Sequence, residues 1–143
     1  MYQDNSRKFV VILNQKQNAG LLMNALSHTV GGLISKQSER LDQMEFLPYM
    51  DRDGVFDAHI SRFPFIVLKA KNGNQIRTVR QAAQEAGIPF NVFTDTMFGA
   101  SAEDQLQRTR GTKEAELDYI AIGLFGPSVD LDKMTRKFSL YNG

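Results

Sequence analysis

Five consecutive apolar residues, Phe9, Val10, Val11, Ile12 and Leu13, constrain this chain more than any other feature. Side chains alternate between faces along a strand, so a run with no polar alternate buries both of its faces. Such a strand needs a covering layer above and below, and helices supply that cover in an α/β domain. The strand is read over residues 8–13, and further strands over residues 65–70, 90–94 and 119–125. The first run is too short for a signal or membrane segment, and residues 1–8 before it are polar. A cytoplasmic protein without membrane association is therefore expected.

Helical spacing fills the intervals. Over residues 21–34, taking Leu22 as origin, Leu26, Thr29, Val30 and Leu33 share one side at about 100° per residue. Residues 74–86 carry Ile76, Val79, Ala83 and Ala86 on an inner stripe, with Asn74 as the expected cap and Gly87 and Pro89 as the stop. Residues 101–109 read as a short helix with Ser101 and Asp104 in capping-box-like spacing. Residues 130–134 read as a helical turn and 138–141 as a short edge strand. Asp51-Arg-Asp-Gly54 has hairpin-turn chemistry between strands expected over 44–50 and 55–60. No repeat or linker divides the chain, so residues 1–143 are expected to form one domain with a three-layer α/β/α sandwich.

Composition removes some chemistry. Without cysteine there is no disulfide, thiolate metal site or cysteine nucleophile. Seventeen Lys and Arg against sixteen Asp and Glu leave a formal net charge of +1, which gives no global case for a nucleic-acid binder. Asp57 and His59 are too few for a metal site, and no cofactor or metal is expected.

The residues offer several candidate sites. His28 lies away from the core stripe of its helix, four residues from Asn24, where a neutral imidazole suits a general base. The plainer reading is a packed or solvated histidine. Asp95 follows a buried strand, at the end where α/β sheets bind ligands, and Thr94 and Thr96 flank it with hydroxyls. The plainer reading there is an Asx turn or cap. Gly20 opens the first helix and can present backbone N–H groups to an anion. Leu21, Met23, Met97 and Phe98 instead suit an apolar ligand group. Lys69, Lys71, Arg77 and Arg80 around the second strand–helix junction, with Arg136 and Lys137 near the end, can hold phosphate or form a solvated charged face.

Three motifs carry a resemblance. The strand beginning at Lys8 and the helix Gly20-Leu-Leu-Met-Asn-Ala-Leu-Ser-His28 are the first. Ala86-Gly-Ile-Pro-Phe-Asn-Val-Phe-Thr-Asp95 is the second. Ile122-Gly-Leu-Phe-Gly-Pro127 followed by Asp132-Lys-Met-Thr-Arg-Lys-Phe-Ser-Leu140 is the third. In order and spacing they resemble the type II peptidyl-tRNA hydrolases. The chain is more similar still to a related family known as domain of unknown function two thousand, through Phe65-Ile-Val-Leu-Lys-Ala-Lys-Asn-Gly-Asn-Gln75 and Phe93-Thr-Asp-Thr-Met97. The resemblance implies a mixed sheet of about four strands flanked by helices, a homodimer and a hydrolase acting on an ester or amide, with a tRNA-linked substrate. His28 and Asp95 would be its catalytic centre, and Gly20, Leu21, Asn24, Thr94, Thr96 and Met97 its substrate contacts.

The departures bear on that activity. The hydrolases have a catalytic lysine where this chain has Leu21, which neither donates a hydrogen bond nor stabilises an oxyanion. Their glutamine is Ala25, and the run after Asp95 has become Thr96-Met-Phe-Gly-Ala100. A non-catalytic module binding a small molecule on the same fold is therefore the alternative expectation.

Overall fold

The computed structural model describes residues 5–99 and 101–143. Residues 1–4 of the polar start and Ala100, the last residue of the altered run after Asp95, lie outside the described residues. In chain order the elements are β1 (Arg7–Asn14), α1 (Ala19–Lys36), a 3-10 segment (Ser38–Met44), β2 (Phe46–Met50), β3 (Asp57–Ser61) and β4 (Phe65–Ala70). There follow α2 (Gly73–Ala86), β5 (Phe90–Thr94), α3 (Ala102–Arg110), a second 3-10 segment (Glu114–Glu116), β6 (Tyr119–Pro127), α4 (Ser128–Thr135) and β7 (Ser139–Leu140).

β1 is central. The main sheet runs β5-β6-β1-β4-β7, with β1 parallel to β4 and the β1–β6, β5–β6 and β4–β7 pairs antiparallel. It is therefore a mixed sheet of five strands, one more than the expected four, because the short β7 pairs Leu140 and Ser139 with Leu68 and Lys69. The hairpin β2–β3 stays outside it as a sheet of its own.

Burial on both faces of β1 follows the alternation of its side chains. Val10 and Ile12 meet Ile76, Val79 and Ala83 of α2 and Leu131 of α4. Val11 and Leu13 meet Leu22 and Ala25 of α1, and Phe9 meets Leu33 of the same helix. All five residues of the run are at most 2% exposed. Each such side chain contributes about 1.5–3 kcal/mol by leaving water. The sheet thus lies between α1 on one face and α2 with α4 on the other.

Helix ends follow local chemistry that refines the sequence reading. α1 begins at Ala19, earlier than residue 21, because Asn18 Oδ1 accepts from the Leu21 amide at 2.9 Å. The cap of α2 is Asn72 and not Asn74. Asn72 holds an extended backbone after β4 and accepts from the Gln75 amide at 3.0 Å. Asn74, inside the first turn, accepts from Arg77 instead. Gly87 ends α2 at φ 69°, a left-handed angle that suits glycine. Ser101 accepts from the Asp104 amide at 3.1 Å and starts α3. Met44 closes a 3-10 segment in place of opening a strand, and is buried. Among the described residues no helix is long and apolar enough to cross a membrane.

Candidate functional site

The expected residues fall into two neighbourhoods at the carboxyl end of β5. In the first, His28 is exposed on α1 and its ring stacks on Phe93 of β5, 5.9 Å between centroids and 20° from parallel. Phe93 stacks in turn on Phe98 at 6.2 Å. Met97 packs into the cluster that holds Leu22, Ala25 and Phe93. Gly20 and Asn24 are exposed and Leu21 is half-buried. The Leu21 amide, one of those that an anion at Gly20 would need, is occupied by Asn18.

In the second, side chains bond to protein groups. Thr109 donates to the Gln105 carbonyl at 2.8 Å. Its oxygen is left to accept from Thr96 at 2.8 Å, and Thr96 accepts from Thr94 at 2.9 Å, because each hydroxyl has one proton to give. This chain of three hydroxyls fastens α3 to the loop after β5. Asp95 is half-buried and reciprocates with Asp118: the Asp95 amide donates to the Asp118 carbonyl at 3.0 Å, and the Asp118 amide donates to Asp95 Oδ1 at 3.1 Å. The pair joins the end of β5 to the start of β6. Burial, and after it the charge of Asp95, raises the pKa of the Asp118 carboxyl. Among the described residues no hydrogen bond joins His28 to Asp95.

The basic residues that the sequence groups together are separated. Arg77 Nε and Arg80 bond Glu114 Oε2 at 2.8 and 3.1 Å, and Arg77 also donates to the Glu114 and Leu117 carbonyls. Tyr119 donates to the same carboxylate at 2.8 Å. Hydrogen bonds from Arg77 and Tyr119 hold Glu114 at a pKa of about 2. Lys69 and Lys71 face another way. The parallel strands β1 and β4 end side by side, the Gln15 amide donating to the Ala70 carbonyl at 2.9 Å. Buried Asn14 there bonds the Tyr119 carbonyl at 3.0 Å and accepts from the Lys16 amide at 3.0 Å. This turn places Lys16 beside Lys69 and Lys71 around a cleft of about 410 Å³, with Gln15 and Tyr141 on its walls. A second hollow of about 260 Å³ shares Gln15, Lys69 and Lys71 and adds Gln75 and Lys137.

The sequence pattern of the family described as "Protein of unknown function (DUF2000)" matches residues 7–142. The chain belongs to that family. No curated protein matches it. Among solved structures, it is similar to a protein of unknown function, Atu0240, from Agrobacterium tumefaciens strain C58. That structure is 18% identical, with a TM-score of 0.81 over 97% of this chain and 100% of that one, so the likeness shows the fold.

In this DUF2000 chain the residues missed by sequence reading are Gln15, Lys16 and Tyr141. Lys16 stands more than fifty residues from Lys69 and Tyr141 seventy beyond it, and only the β1–β4 pairing and the Tyr141 amide bond to the Val67 carbonyl bring them together. The available signal was the parallel pairing itself, since the carboxyl ends of parallel strands are where such sheets hold ligands. His59 and Asp57 sit 3.1 Å apart on the exposed edge of the hairpin.

Proposed function

We propose that this chain is a non-catalytic small-molecule-binding module on a peptidyl-tRNA hydrolase type II-like sandwich. The observation that carries the reading is Leu21 at the opening of α1, where the hydrolases have the lysine of their active site. The hydrogen bond that Asp95 Oδ1 accepts from the Asp118 amide gives that carboxylate a structural role and supports the reading. A divergent hydrolase cleaving a tRNA-linked ester or amide is the other reading, and it would have to stabilise its oxyanion without a lysine at residue 21.

The deciding experiment pairs two assays on the purified protein. Peptidyl-tRNA hydrolysis is expected to be absent in the wild type. A thermal-shift panel of phosphorylated, carboxylate and neutral metabolites is expected to yield at least one stabilising ligand. Turnover that His28→Ala or Asp95→Asn abolishes without lowering Tm overturns the reading, and so does a silent panel. By resemblance the proposal extends to a cytoplasmic homodimer, for which light scattering should give the mass of two chains.

A further inference from the structure

We propose that the cleft at the carboxyl ends of β1 and β4 binds a small phosphate ester or diphosphate, an assignment that rests on the binding-module reading above. Lys16, Lys69 and Lys71 line it and Lys137 borders the adjoining hollow. Among the described residues none of the four forms an ion pair with a carboxylate. Lys69 Nζ bonds the Asn142 side chain at 3.0 Å, and Lys137 lies over the Phe138 ring at 5.5 Å. The charge of Lys16 lowers the pKa of the Asp118 carboxyl, against the larger raising effects of burial and of Asp95. Like charges around one concave surface repel one another, and an anion bound among them relieves that repulsion.

The donor set is compatible with a phosphate group. All four cations are lysines, compact point charges with three donors each, which suit the tetrahedral oxygens of phosphate. Gln75 Oε1 accepts from the Lys71 amide at 2.8 Å, which leaves its NH₂ group as a further donor in the adjoining hollow. Tyr141 offers a ring against which the organic part of a ligand can rest. A cleft of about 410 Å³ is the size of a metabolite site, and the net charge of +1 gives no wider basic surface for a polynucleotide.

Calorimetry with inorganic pyrophosphate, ribose 5-phosphate and citrate tests the assignment on the wild type and on Lys69→Gln/Lys71→Gln. Saturable binding of at least one phosphate probe is expected, weakened tenfold or more in the double variant, with citrate weaker than either. Amide resonances of Gln15, Lys16, Lys71 and Tyr141 should move on titration of the wild type, a readout independent of the variant. Unmoved resonances, equal binding of citrate, or tighter binding of a 20-nucleotide single-stranded RNA through the same lysines would each overturn it. If a neutral metabolite stabilises the protein while both phosphate probes are inert, this assignment fails and the binding-module reading stands. Turnover of peptidyl-tRNA, or a silent metabolite panel, would instead remove that reading.

Discussion

Two groups of cations flank the same stretch of sheet and are treated in opposite ways. Around the start of β6, Arg77 and Arg80 share one carboxylate, Tyr119 donates to it, and Arg77 lies over the Tyr119 ring at 5.0 Å. At the ends of β1 and β4, Lys16, Lys69, Lys71 and Lys137 line two adjoining hollows without an ion pair to a carboxylate among the described residues. The first arrangement uses charge to hold two elements together. The second holds charge at a surface where it can meet something else. Basic residues alone therefore say little; the acceptors the fold brings to them decide what they do.

The comparison can be broken most strongly at Gly73. A Cβ there would stand 2.8 Å from the Tyr119 amide nitrogen and 2.9 Å from its carbonyl oxygen, against the Asp118 carboxylate as well. Backbone cannot step aside as a flexible side chain does, so Gly73→Ala should cost ~3 kcal/mol by urea denaturation. Arg77→Ala comes next. It strips the Glu114 and Leu117 carbonyls of a donor and should cost ~2 kcal/mol, with Arg77→Lys restoring only part because ammonium lacks the planar fork.

Glu114 sharpens the contrast through pH. Its folded-state pKa is depressed from 4.5 to about 2, so its contribution is fully present above the unfolded value and is lost as pH falls through the folded one. Stability should decline between pH 4.5 and about 2, and Glu114→Gln should flatten that part of the acid-denaturation profile. The smallest effect belongs to the lysine cleft. Lys69→Ala/Lys71→Ala should shift unfolding free energy by less than ~0.5 kcal/mol, since neither ammonium bonds a carboxylate. A loss comparable to that of Arg77→Ala would erase the distinction between the regions.

What the sequence disclosed follows the same division. The aliphatic strands, most of the α2 stripe and the glycine that ends it were legible because burial and backbone angle act locally on residue type; Ala86, expected on that stripe, is exposed at the last turn. Asn74 was read as a cap where Asn72 serves, since both are asparagines and only the end of β4 at Ala70 decides between them. β7 was legible as a short edge strand, but two residues carry too little pattern to count it into the sheet. The structure brings His28, Thr94, Asp95, Thr96 and Met97 to the neighbourhood of the end of β5. Their bonds to Phe93, Thr109 and Asp118 were not legible, because each partner arrives from another element. The joining of Lys16 to Lys69 and Lys71 was hidden for the same reason.

The strand order also sets a timetable for the growing chain. β1 is made first, yet its antiparallel neighbour begins at Tyr119, 105 residues after Asn14. At roughly 5–20 residues per second, on the order of 10 s of synthesis separates the two. During that interval the aliphatic run from Phe9 to Leu13 has at most β4 beside it, and one edge of the future central strand stands open. A ribosome stalled before residue 119 would thus display a sticky, half-paired strand, a natural client for a chaperone.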